Sequence, residues 1–142
     1  MNEENPAMIA ARNSWRCVQA GDREGWLALM SEDVCIEDPI GVAPTNPTGE
    51  GVRGKAAVGE FFDKNIARNE LSVETHESRT AGSESAHVLT LRTRFPNGTT
   101  AIVRGLFTYL VDTEGLLTNL RGYWEMDDMS FETPPESDVP AE

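Results

Sequence analysis

VLTLRTRFPNGTTAIVRGLFTYLVDTEGLLTNLRGYWEM, residues 88–126, is the stretch that decides the fold. It is rich in β-branched and aromatic residues and broken by two turn signals. Asn97-Gly98 marks a two-residue hairpin, and Asp112 to Gly115 marks the next turn. Strands are expected over 70–79, 86–95, 99–111 and 116–126. Pairing across Asn97-Gly98 sets Val88 opposite Phe107 and Thr90 opposite Gly105. Pairing across the second turn sets Phe107 opposite Leu120, Gly105 opposite Gly122 and Val103 against Trp124. One face then holds Val88, Thr90, Val103, Gly105, Phe107, Leu120, Gly122 and Trp124. The other holds Leu89, Leu91, Ile102, Arg104, Leu106, Leu110 and Tyr123. Paired glycines at 105 and 122 suit a bent sheet with a hollow beside Phe107 and Trp124.

The first half reads as helices. Asn5-Pro6 is an N-cap followed by proline at the first helical position, and Gly21 is the stop signal. Ala11, Ser14, Trp15 and Val18 form one inward stripe, with Ser14 its polar exception. Asp22 caps a second helix through Met30, and the alternation of residues 34–38, VCIED, predicts a short strand. A Pro/Gly-rich loop over 39–51 suits a rim or lid. A third helix starts near Lys55 and buries Val58, Phe61, Phe62 and Ile66. Helices first and a meander second make the chain α+β: a bent sheet wrapped on three helices, forming an open cone with an internal cavity. The domain is expected over 1–128, with an acidic, disordered tail over 129–142.

The 142 residues carry 12 basic and 24 acidic side chains, a net charge of −12. Seven of the acids lie in the last 18 residues, where there is no Lys or Arg. A phosphate backbone or an anionic membrane surface would repel such a chain, so nucleic acid and membrane are excluded as partners. No apolar run is long enough to span a bilayer, and the N-terminus lacks the pattern of a signal peptide. A cytoplasmic protein is expected, with Cys17 and Cys35 as reduced thiols. His76 and His87 do not have metal-ligand spacing, so no metal and no other cofactor is expected.

Asp38 is the residue best suited to chemistry. It ends a strand, shares a face with Val34 and Ile36, and precedes Pro39-Ile40-Gly41. A carboxylate at such a place either caps a turn or projects into an apolar cavity. In the second case desolvation raises its pKa. It then becomes able to take a proton from carbon beside a carbonyl and return it elsewhere.

Four segments bear a family resemblance: AGDREGWLALMSEDVCIEDP at 20–39, IEDPIG at 36–41, RGKAAVGEFF at 53–62 and RGYWEM at 121–126. Over residues 5–130 the chain resembles the bacterial ketosteroid isomerases, within the superfamily resembling nuclear transport factor 2 and SnoaL. The resemblance is nearest to mycobacterial and related actinobacterial members. It implies a curved mixed sheet on three helices, with Asp38 matching the family's general base. It also implies that the family's two oxyanion donors, a tyrosine and a protonated Asp, are replaced by Ser14 and Phe107. Met30 and Phe62 stand where some members carry supporting tyrosines.

The expected ligand is a flat apolar molecule such as a steroid ketone. It would be bound by Ser14, Trp15, Val18, Phe62, Val88, Val103, Phe107, Leu120 and Trp124. The implied activity is a steroid Δ-isomerase, weakened by the missing donors. The alternatives are a steroid-binding protein without catalysis, or another Asp38-dependent reaction on the same scaffold. A homodimer through the outer sheet face would cover its exposed apolar side chains.

Overall fold

The structure, a computed structural model, describes residues 5–134. Helix α1 (Pro6–Ala20) starts where Asn5 Oδ1 accepts from the Ala7 and Met8 amides at 2.8 and 3.2 Å. It stops at Gly21, which takes a left-handed φ of 70°. Asp22 Oδ1 caps α2 (Arg23–Ala28) through the Gly25 amide at 2.9 Å. Strand β1 (Met30–Glu37) follows at once, so α2 is shorter than its apolar spacing predicts and the strand is longer. The polar run Ser31-Glu32-Asp33 hides its beginning, where Met30 pairs with Leu117. Met30, expected on α2, is therefore a core strand residue.

After the loop come β2 (Val52–Arg53), α3 (Lys55–Asn65), β3 (Glu70–Ala81), β4 (Glu84–Arg94), β5 (Thr100–Val111) and β6 (Leu117–Tyr123). A 3-10 turn, Met126–Asp128, leads into β7 (Met129–Glu132). The sheet runs β2-β1-β6-β5-β4-β3, with β7 paired to β5. Among the described strands only β1 and β6 pair in parallel. The sheet is curved, mixed and unclosed, as expected. Its concave face meets α1 through the buried Ala7, Ala10, Ala11 and Ser14, and α3 through Val58 and Phe62.

Two register expectations need correction. The first hairpin pairs Arg94 with Thr100 and Phe107 with His87, one position off the predicted match. Proline cannot donate to a ladder, so Pro96 is excluded from the pairing that a two-residue turn requires. Gly98 takes φ 90°, and its amide donates to Phe95 O at 2.9 Å, lengthening the loop. A shift of one residue exchanges the faces of β4. Leu89 therefore turns inward and is buried, and Leu91 lines the cavity, while Val88 and Thr90 turn outward beside Leu106 and Arg104. The second hairpin is off by two residues, which preserves faces. Phe107 pairs with Gly122 and Tyr109 pairs with Leu120, so Gly105 does not stand opposite Gly122.

The C-terminal segment is also more ordered at its start than its composition predicts. Met129 to Glu132 form β7, pairing Met129 with Val103 and Ser130 with Ile102. The Met-Ser-Phe-Glu alternation is a strand pattern within the segment expected to be disordered. Residues 135–142 lie outside the described residues. Strands β6 and β7 share β5 as a neighbour, and the chain crosses between them at Trp124. Gly105 allows that crossing, because a Cβ there would lie 3.0 Å from Tyr123 O and 3.1 Å from Trp124 Cβ.

Candidate active site

The concave face encloses a cavity of about 580 Å³ with a mostly apolar lining. Asp38 stands one residue beyond β1, where the parallel pairing of Ile36 with Leu120 and Glu37 with Arg121 directs it at Gly122. The absence of a side chain at Gly122 makes room. A Cβ there would lie 2.8 Å from Asp38 Oδ1, 2.9 Å from Phe107 Cε2 and 2.9 Å from Trp124 Nε1. The Trp124 indole donates to Asp38 Oδ1 at 2.8 Å. Burial raises the Asp38 pKa above its ordinary 3.8, and the indole bond opposes the rise.

The loop after Asp38 is held by side chains that periodicity does not single out. Ile40 N donates to Gly122 O at 3.0 Å. Buried Asn46 donates to Pro39 O at 3.0 Å and accepts from Gly51 N at 2.9 Å. The Thr45 hydroxyl donates to the Asp38 carbonyl oxygen. The segment is thus a fixed rim, with Pro44 and Thr45 lining the cavity mouth.

Seven of the residues expected around a ligand line the cavity with Asp38: Ser14, Trp15, Val18, Val103, Phe107, Leu120 and Trp124. Two do not. Val88 faces outward for the register reason given above. Phe62 turns into the core against Trp26, with ring centroids 5.4 Å apart, and its neighbour Phe61, about 100° around the helix, lines the cavity instead. Met129 and Phe131 of β7 complete the mouth. Among the described residues, no group of three His, Cys, Asp or Glu is arranged to hold a metal ion, and no helix is long and apolar enough to cross a membrane.

The indoles of Trp15 and Trp26 have defined acceptors. Trp26 Nε1 donates to Ser14 Oγ at 2.9 Å, and Trp15 Nε1 donates to Tyr109 Oη at 2.8 Å. Tyr109, an inward neighbour of Phe107 on β5, is the polar wall residue the sequence reading missed. Its parity with Val103 and Phe107 was the available signal.

Behind it lies His87, with no exposed surface and edge-on to both Trp15 and Tyr109 at 4.8 and 5.5 Å. Ser85 donates to Ala7 O at 3.3 Å and so accepts from His87 Nε2–H at 2.8 Å, while Nδ1 accepts from Ser78 at 2.7 Å. The ring is therefore held neutral in one tautomer. Burial pushes its pKa down from 6.5 to about 4, assisted by Arg12. The unfolded chain binds this proton more readily than the folded one, so stability falls as pH drops from 6.5 towards 4. Denaturant titrations should show the wild type losing on the order of 2–3 kcal/mol more than His87→Gln across this range. Parallel curves for the two proteins would contradict it.

The model of the SnoaL-like domain family matches residues 11–132. The chain belongs to that family. This SnoaL-like chain is similar over most of its length to several solved structures. The Delta 5-3-ketosteroid isomerase of a Mycobacterium species is 58% identical, with a TM-score of 0.88 over 90% of this chain and 99% of that one. Rv0760c of Mycobacterium tuberculosis, in complex with estradiol-17β-hemisuccinate, is 56% identical, with a TM-score of 0.86 over 89% and 99%. A computationally designed 17-OHP binder is 53% identical, with a TM-score of 0.88 over 91% and 100%.

Proposed function

We propose that this steroid isomerase-like protein moves a proton between carbons of a flat apolar ketone, with Asp38 as the general base. The observation that carries the reading is one carboxylate, raised in pKa and held by Trp124, facing a cavity whose lining is mostly apolar. The similarity to a ketosteroid isomerase at 58% identity supports the substrate class. Asp38 takes a proton from the carbon between the carbonyl and the double bond. The C–H electron pair moves into the ring as a dienolate, with its charge on the carbonyl oxygen. Asp38 then returns the proton to the far alkene carbon, and the double bond is conjugated with no net gain or loss.

The rate expectation follows from the wall. Ser14 is too short to reach as far as a tyrosine from the same backbone position, while Phe107 has no proton to offer. Each missing preorganised donor slows such a step by about 10²–10³-fold. Turnover slower than that of a two-donor site is therefore part of the reading. The competing reading, a steroid-binding protein without catalysis, is favoured by the same replacements and by the binding described for two of the similar proteins. Incubation with a 5-ene-3-ketosteroid separates the two: growth of the conjugated-enone absorbance supports catalysis, and binding without that absorbance supports the alternative.

The reading includes a two-fold homodimer through the outer sheet face. Leu89 and Leu91 no longer belong to that face, but the cross-strand row Val88, Leu106 and Tyr123 does. Leu106 is 41% and Tyr123 46% exposed, so apolar surface remains for a partner. Burying such side chains stabilises by roughly 1.5–3 kcal/mol each before association costs. Leu106→Glu should turn dimer into monomer in sedimentation, because the symmetry brings two carboxylates into one interface. A wild type that sediments as a monomer at micromolar concentration would contradict the dimer, and a dimeric variant would move the contact elsewhere.

A further inference from the structure

We infer that Tyr109 donates the hydrogen bond that meets the ligand's carbonyl oxygen, and that Trp15 is the positioning residue that holds the phenol for it. Its catalytic arm rests on the isomerase reading, while its binding arm does not. The sheet register supplies the placement. Ile36, Leu120 and Tyr109 form one cross-strand row, and Glu37's successor Asp38 extends the adjoining row of Gly122 and Phe107. Adjoining inward rows are about 6.6 Å apart along a strand. A phenol on one row and a carboxylate on the next can therefore address two ends of one small enone.

The hydrogen bonding supplies the direction. Tyr109 is 3% exposed and lines the cavity. Its oxygen accepts from Trp15 Nε1 at 2.8 Å, and among the described residues it donates to nothing. A phenol that accepts a hydrogen bond becomes a stronger donor, so its own proton is the free end of a polarised pair. The neighbouring indoles are committed, Trp124 to Asp38 and Trp26 to Ser14. Burial keeps the phenol protonated far above neutral pH, and the Asp38 charge adds to that effect. His87 packs edge-on against both rings and fixes them from behind. A donor preorganised in this way stabilises charge as it develops on oxygen, without any proton transfer from Tyr109. One donor thereby remains at a site whose two family donors are replaced.

The test has two arms. In the binding arm, a 4-ene-3-ketosteroid, the reaction product, is added to wild type and variants, and its enone absorbance is recorded. A hydrogen bond to the carbonyl moves that band to longer wavelength. The shift is expected with wild type, absent with Tyr109→Phe and reduced with Trp15→Phe. In the kinetic arm, Tyr109→Phe should lower kcat by about 10²–10³-fold with KM changed only a few-fold. Equal band shifts in wild type and Tyr109→Phe would overturn the inference. So would loss of the shift in Ser14→Ala with Tyr109→Phe unaffected, because Ser14 would then be the donor. If Tyr109→Phe does not fold, an unaltered shift in Trp15→Phe overturns it. A shift that depends on Tyr109, in a protein without turnover, would leave this inference standing and remove the isomerase reading.

Discussion

Asp38→Asn is expected to abolish isomerisation, lowering kcat by at least about 10²–10⁴-fold, while steroid affinity stays within a few-fold of wild type. The amide keeps the shape and can still accept from the Trp124 indole, which lies 2.8 Å from Oδ1. It cannot take a proton from carbon. The same substitution should raise stability at neutral pH. Burial raises the folded-state pKa of Asp38, so the folded protein binds this proton more tightly than the unfolded chain does. Stability is therefore lost as pH rises through that raised pKa, and the Asn variant escapes the loss. A higher melting temperature with no turnover is the joint outcome to look for. An Asn variant with wild-type turnover would require another base.

Gly122→Ala is expected to damage both chemistry and stability. The added carbon would fall within 3.0 Å of Asp38 Oδ1, Phe107 Cε2 and Trp124 Nε1 at once. Phe107 is buried and the other two are bonded to each other, so no flexible side-chain end can move away cheaply. Overpacking of this kind destabilises by about 1–3 kcal/mol. Moving the base by as little as 1 Å slows a positioned reaction by about 10²-fold. Thermal unfolding and enone formation measure the two effects separately. An alanine variant with unchanged rate and melting temperature would show that the carboxylate is not held against this strand.

Local signals carried most of the fold. Asn5, Pro6, Gly21 and Asp22 cap the first two helices as their chemistry requires. The strands of the meander lie close to where alternation and turn residues put them. Pairing was harder, because register depends on how many residues a turn consumes. Pro96 and Gly98 made that loop longer than Asn97-Gly98 alone suggests, and the faces of Val88 and Leu89 exchanged. The second slip, of two residues, left Phe107, Leu120 and Trp124 on the inner face.

Asp38 could be singled out because its strand face and its following proline are local features. Tyr109 needed only the parity of β5, but an aromatic between Phe107 and Val111 reads as core. Its significance comes from the bond to Trp15, 94 residues away in sequence. Asn46 was illegible for the same reason: its partners, Pro39 and Gly51, are joined through a loop without periodicity. On α3 the choice between Phe61 and Phe62 depends on a rotation of one residue, which a short apolar pattern does not fix.

The most direct measurement is the pH dependence of kcat/KM for wild-type protein on a 5-ene-3-ketosteroid, followed by enone absorbance. A desolvated carboxylate base predicts measurable turnover that declines on the acid side, with a midpoint above the ordinary carboxylate value of 3.8. A folded protein that binds the steroid but forms no enone at any pH would contradict the claim that Asp38 acts as its base.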